Sequence, residues 1–132
     1  MSDTQLQKIL YIEDEPDIQA VAQIALETVG GFTMKTCSSG AEALSVAVDF
    51  NPDLILLDVM MPDMDGPTTL GELRKLPELA KTPAIFMTAK VQPQEVAHFK
   101  SLGAIEVVAK PFDPMTLSSH ISAIWQKNHT TA

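Results

Sequence analysis

The sequence has a single cysteine, Cys37, so no disulfide can form within the chain. That suits a reducing cytoplasm. Basic residues are scarce: 9 Lys and Arg stand against 17 Asp and Glu, giving a net charge of -8. Holding a phosphate backbone requires clustered cations, so direct DNA or RNA binding is not expected. No apolar run approaches the length of a membrane span, and the opening MSDTQLQK has no signal-peptide core. His98, His120 and His129 are scattered without metal-ligand spacing, which argues against zinc. Internal repeats, linkers and low-complexity segments are also lacking. What remains reads as one soluble, cytoplasmic domain over residues 1–132, with its core from about 8 to 127. A chain of this length buries roughly two-thirds of its unfolded surface.

What is present is a regular alternation of patterns. KILYI (8–12), LILL (54–57), AIFM (84–87) and EVV (106–108) predict short strands. The middle two are almost wholly apolar, as befits strands buried on both faces of a parallel sheet. TMKTC (33–37) alternates polar and apolar residues like an edge strand. Between the strands lie helical patterns. Ile18, Val21, Ala22, Ala25 and Val29 share one helical face, as do Leu117, Ile121, Ile124 and Trp125. Weaker patterns cover about 40–49, 67–76 and 93–102, and the last helix is expected to end near Lys127, leaving NHTTA as a tail.

Proline and glycine punctuate this scheme. Pro16, Pro67, Pro93 and Pro114 fit helix first turns, and Gly30 and Gly103 fit helix C-termini. Gly71 falls inside a predicted helix at a cost of about 1 kcal/mol against Ala. Close helix–sheet packing is the candidate explanation. A strand–helix unit repeated five times predicts an α/β fold: a doubly wound parallel sheet with helices on both faces.

In such a sheet, function collects beyond the carboxyl ends of the strands. The polar residues fall there. The first strand ends in Glu13, Asp14 and Glu15, the third in Asp58, the fourth in Thr88, and the fifth leads to Lys110. Each has an ordinary reading alone: a helix cap for Asp14 or Glu15, a turn residue for Asp58, a loop hydroxyl for Thr88, a solvated amine for Lys110. Their joint placement is what points to chemistry. Packed carboxylates repel and bind protons unless a cation joins them. Mg2+ suits one or two carboxylates, a carbonyl and waters. With that ion and a lysine to neutralise phosphoryl oxygens, an ionised aspartate can attack phosphorus.

The segments YIEDEP, LILLDVMMPDMDG, FMTA and VVAKPF, in this order and spacing, resemble the receiver domain of two-component response regulators, of the CheY-like kind. The resemblance runs from about Lys8 to Trp125. It implies a (βα)5 flavodoxin-like fold with strand order 2-1-3-4-5. It also implies a signalling domain rather than a turnover enzyme, with Asp58 as phosphoacceptor from a histidine kinase or a histidine phosphotransfer protein. Mg2+ would be held by Asp14, Asp58 and the Met60 backbone carbonyl, with Glu13 acting through water. Lys110 would pair with Asp58 and then with the phosphoryl oxygens, Thr88 would hydrogen-bond the phosphoryl group, and the Lys110–Pro111 bond would be cis.

Two positions depart from the family pattern. Glu13 stands where many members have Asp. Val107 stands at the switch position, where an aromatic usually turns inward on activation. The family's output face corresponds to the surface of residues 93–127. That region lacks the acidic and arginine pattern of the DNA-binding subfamily, so a stand-alone receiver is expected, one that switches binding to a downstream protein or relays the phosphoryl group.

Three other functions compete. A pseudo-receiver would bind partners without phosphorylation, and Val107 leaves room for it. A Mg2+-dependent phosphatase of the haloacid-dehalogenase kind would want a second acid two residues after the nucleophile, where Met60 stands, and cap insertions for which there is no room. A flavodoxin-like cofactor binder would need a phosphate cradle after the first strand, where the acidic EDEPD repels phosphate.

Overall fold

The computed structural model of the chain describes residues 5–130. Five strands alternate with helices: β1 (Lys8–Ile12), α1 (Pro16–Gln23), β2 (Thr33–Cys37), α2 (Gly40–Phe50), β3 (Leu54–Asp58), α3 (Gly66–Arg74), β4 (Ala84–Thr88), α4 (Pro93–Ser101), β5 (Glu106–Ala109) and α5 (Leu117–Thr130). All strand pairs are parallel, in the order β2-β1-β3-β4-β5. The alternating TMKTC is an edge strand, and LILLD and AIFMT are buried throughout. Strand order reverses between β2-β1 and β3-β4-β5, so the crevice at that switch point opens above the ends of β1 and β3.

The strands' alternation divides the core into two layers. Ile9, Tyr11, Leu54, Leu56, Ile85, Met87 and Val108 pack with Ala22, Ala25 and Leu26 and with Leu117, Ile121 and Trp125 of α5. Leu10, Ile12, Ile55, Leu57, Phe86 and Val107 pack with Ala43 and Ala47 of α2, Leu70 and Leu73 of α3, and Phe99 of α4. Cys37 is buried, and burial pushes its thiol up to about 11, which leaves it an inert apolar filler.

Four expectations need correction. The face predicted for α1 is only partly buried, and the helix passes into a π-helical stretch over Ile24–Val29. Leu26 enters the core, while Val21, ahead of that stretch, and Val29, at its end, are exposed. Gly30 stands at the helix C-cap as expected, and Gly31 follows in the left-handed region with φ of 78°. Gly30 is also needed for space, since a Cβ on it would lie 2.6 Å from the Ser118 Cβ. Gly71 is not explained by packing, because a Cβ there would meet nothing within 4 Å.

The last two corrections concern α5. Pro114 lies in a turn before the helix, where Asp113 caps with its carbonyl to Leu117 N–H (3.0 Å) and its carboxylate to Met115 N–H (2.9 Å). The helix runs past Lys127 to Thr130, there being no glycine or proline to stop it. Residues 131–132 of the expected tail lie outside the described residues. The other predicted helix starts hold: Pro16, Pro67 and Pro93 stand in first turns. Gly103, with φ of 112°, follows α4.

Candidate functional site

Alternation along the strands sets which side chains can meet at the sheet's carboxyl edge. In β1, Glu13 continues the row of Ile9 and Tyr11; in β3, Asp58 continues Leu54 and Leu56; after β5, Lys110 continues Val108. All three therefore rise from the same face of the sheet, Glu13 and Asp58 from adjacent strands and Lys110 from the far side of β4. Lys110 Nζ donates to Glu13 Oε1 at 2.9 Å and to Asp58 Oδ1 at 3.0 Å. Asp14, half-buried, joins them: carboxylate oxygens of Glu13, Asp14 and Asp58 all lie within 4.8 Å of one another. These oxygen donors in one tight group are the kind that a hard divalent cation takes.

The backbone fixes each member. Glu13 N–H donates to Cys37 C=O at 2.9 Å, extending the β1–β2 ladder by one residue. Glu15 N–H donates to Glu13 Oε2 at 3.2 Å, and Gln19 Nε2 to the Glu13 carbonyl. Glu15 occupies the N-cap of α1 but makes no side-chain cap bond, so capping does not explain this acidic run. Beyond Asp58, Val59 N–H donates to Met87 C=O at 3.1 Å, and Gly66 N–H closes the loop onto Val59 C=O at 2.9 Å. The loop returns so tightly that a Cβ on Gly66 would stand 2.3 Å from the Asp58 carbonyl oxygen. Met60 follows at the mouth with its side chain 70% exposed.

Thr88 ends β4 beside this group. Its backbone carbonyl accepts from Lys110 N–H at 3.0 Å, and its hydroxyl oxygen accepts from Lys90 N–H at 3.1 Å. The acceptor role leaves the hydroxyl proton available to another group. The Lys110–Pro111 bond is cis. Val107 lies on the opposite face from Lys110's row, in register with Phe86 and buried in the α2–α3–α4 layer. The structure thus unites the side chains of Glu13, Asp14, Asp58 and Lys110, sets Thr88 at the next strand end, and leaves Val107 below the edge.

Charge and burial oppose one another here. Glu13 is fully buried, and burial holds its carboxyl above the usual range; Asp58's charge adds to this, while the Lys110 hydrogen bond works against it. Burial alone would depress Lys110, but the hydrogen bonds and charges of Glu13 and Asp58 outweigh it and hold the ammonium above its ordinary value. The result is an ammonium shared by two carboxylates.

Two features of the site escape a reading of strand ends. Tyr11, one step below Glu13 on the same face, is fully buried with a hydroxyl that makes no hydrogen bond of standard geometry among the described residues. The period of two from Glu13 was the signal that could have found it. An apolar groove of ≈ 240 Å³ adjoins Lys110, lined by Asp17, Ile18, Val21, Pro111 and Phe112. It lies between α1 and the segment after Lys110, a juxtaposition that periodicity does not reveal.

Residues 9–122 match the family model described as the response regulator receiver domain. The chain belongs to that family. As a receiver domain it is a signalling module of two-component systems, and its relatives fit that place. It is 35% identical over 125 residues to the alkaline phosphatase synthesis transcriptional regulatory protein PhoP of Bacillus subtilis (strain 168), covering 95% of this chain and 51% of that protein. It is 32% identical over 120 residues to the DNA-binding dual master transcriptional regulator RpaA of a Synechocystis strain, covering 91% of this chain and 49% of that protein. The receiver thus spans about half the length of these curated relatives. Among solved structures, the chemotaxis response regulator CheY4 of Vibrio cholerae superposes with a TM-score of 0.83 at 28% identity, covering 91% of this chain and 99% of that one.

Proposed function

We propose that Asp58 is the phosphoacceptor of this receiver. A carboxylate oxygen of Asp58 attacks the phosphorus of a phosphohistidine; the P–N bond breaks, an O–P bond forms, and the imidazole leaves, taking up a proton. The observation that carries this reading is the Lys110 ammonium held 3.0 Å from Asp58, a cation already in place for the charge that arrives. Lys110 then turns to the phosphoryl oxygens, and the Thr88 hydroxyl, whose oxygen accepts from Lys90 N–H, donates a hydrogen bond to the same group.

The carboxylate cluster fits Mg2+. Asp14, Asp58 and the Met60 backbone carbonyl would hold the ion directly, and Glu13 would act through water. When bound, Mg2+ supplies positive charge to the carboxylates and to the phosphoryl oxygens.

The donor is a sensor histidine kinase or a histidine phosphotransfer protein, and the receiver carries the phosphoryl group rather than turning over a substrate. Cytoplasmic residence follows from such a donor; among the described residues no helix is long and apolar enough to cross a membrane. The whole span 1–132 acts as one domain in this reading. Output passes to a protein through the surface of residues 93–127, which carries a groove between Lys100, Glu106, Ile124 and Lys127. Contact with DNA is not assigned to these residues, given the net charge of -8.

A second reading has one specific support. Val107 has neither ring nor hydroxyl to swing, so a pseudo-receiver that binds its partner without phosphorylation uses this site only as scaffold. Intact mass after incubation with acetyl phosphate separates the two. The expected result is a Mg2+-dependent phosphoryl adduct on the wild type that Asp58→Asn abolishes. Absence of an adduct under conditions that phosphorylate a control receiver sinks the phosphoacceptor reading.

A further inference from the structure

The hydroxyl of Tyr11 is out of place by the usual rule for interiors. Buried polar groups are nearly always paired, and one that is not calls for an explanation. Tyr11 is fully buried in the layer of Ala22, Ala25, Leu56 and Met87, and its hydroxyl, close enough to Glu13 to interact with it, completes no hydrogen bond of standard geometry among the described residues. Phenylalanine would fill the same space without stranding a polar atom. The nearest strand neighbours on its face are Glu13 in its own strand and, through Leu56, Asp58 in β3. A phenol carries its proton at neutral pH, so the group is a donor.

The carboxylate above it is about to need one. In the present arrangement Glu13 is satisfied at Oε1 by Lys110 (2.9 Å) and at Oε2 by Glu15 N–H (3.2 Å). Glu13 is completely buried, so a lost partner must be replaced from within the site. A phosphoryl group on Asp58 brings further negative charge to the other side of Lys110 and draws the ammonium toward it. Glu13 would then lose its strongest donor inside a low-dielectric pocket, where an unpaired charge is most costly.

We propose that Tyr11 is a positioning residue for Glu13: its hydroxyl donates to the Glu13 carboxylate when Lys110 turns to the phosphoryl oxygens. Tyr11 holds a proton in reserve beneath the acidic pocket and keeps Glu13 oriented toward the Mg2+ ligands during transfer. The longer arm of glutamate, in place of the aspartate common at this position in the family, matches a partner one strand step below. This inference rests on the phosphoacceptor reading of Asp58.

Tyr11 is the only tyrosine in the chain, so protein labelled with 13C at the tyrosine Cζ gives one resonance that reports this hydroxyl. With acetyl phosphate and Mg2+, that resonance is expected to shift as the phosphoryl adduct appears by mass, and to stay fixed in Asp58→Asn. In Tyr11→Phe, which keeps the ring in the core, the Mg2+ concentration for half-maximal adduct is expected to rise roughly tenfold, the factor of one hydrogen bond to a charged group. In a Glu13→Asp background the arm is one methylene shorter, and adding Tyr11→Phe should then change the Mg2+ requirement by less than about twofold. A resonance that does not move while the wild type is fully phosphorylated, or an unchanged Mg2+ requirement in Tyr11→Phe, overturns the proposal. A wild type that forms no adduct removes the phosphoacceptor reading, and this inference falls with it.

Discussion

Lys110 is the residue on which the candidate site turns, because it is the cation between two carboxylates. Replacing it by methionine keeps the stem and removes the charge. Glu13 and Asp58 are then left facing each other without a counterion, and Glu13, already raised by burial, takes up a proton more readily. Adduct formation from acetyl phosphate is expected to fall about a hundredfold or more in Lys110→Met, the usual effect of deleting one preorganised donor to a developing charge. The stability signature carries a sign. Lys110 is raised above its ordinary 10.5, so its stabilising effect is complete below that value and is lost as the pH climbs through the higher folded one. Thermal melts of wild type should therefore fall away at strongly alkaline pH, and Lys110→Met, lower at neutral pH, should show less of that alkaline loss. Equal alkaline losses in the two proteins would show that the shared ammonium contributes little.

At the scale of single elements, some boundaries were written plainly in the sequence and others were not. Strands could be read because four of the five end where an apolar run meets a charge or a hydroxyl, as at Leu57–Asp58 and Met87–Thr88. The convergence of Glu13, Asp14, Asp58 and Lys110 followed from that, since strand ends in a parallel sheet share an edge. The π-helical stretch at Ile24–Val29, which packs against β2 and α5, was hidden because its residues are compatible with a regular helix. Tyr11 was hidden for a related reason: in KILYI it counts as one more apolar residue, and its stranded hydroxyl shows only when neighbours are placed. Gly71 is the opposite case, a cost visible in the sequence for which the structure gives no return. It is exposed in α3, carries no positive φ and has free space around it. Gly71→Ala should stabilise the protein by about 1 kcal/mol, or roughly 4 °C in Tm. A lower Tm would mean that α3 needs the flexibility, or that a partner approaches the backbone there.

The whole molecule pays for its site by burying like charges at the edge of an otherwise well-packed sheet, and that cost makes stability a reporter of occupancy. Glu13's folded pKa lies above its ordinary 4.5, so the folded state binds this proton more tightly than the unfolded chain does. The cost is present above the folded pKa and relieved as the pH falls through it, opposite in sign to a salt-bridged carboxylate held below its ordinary value. A divalent cation in the cluster relieves the same cost at neutral pH by a different route, and does so only while the carboxylates are ionised. Mg2+ at a hundredfold excess over its dissociation constant should add about 2.7 kcal/mol, about 10 °C in Tm for a domain of this size. The gain should shrink as the pH drops into the range where Glu13 is protonated, because protons and metal compete for the same oxygens. Asp14→Asn, which removes one proposed ligand without touching the Lys110 pairs, should lose most of the Mg2+ effect while keeping the acid behaviour of Glu13. A Mg2+ effect of equal size in Asp14→Asn and wild type would place the ion elsewhere on this acidic surface, and would separate the geometry of the cluster from the metal role proposed for it.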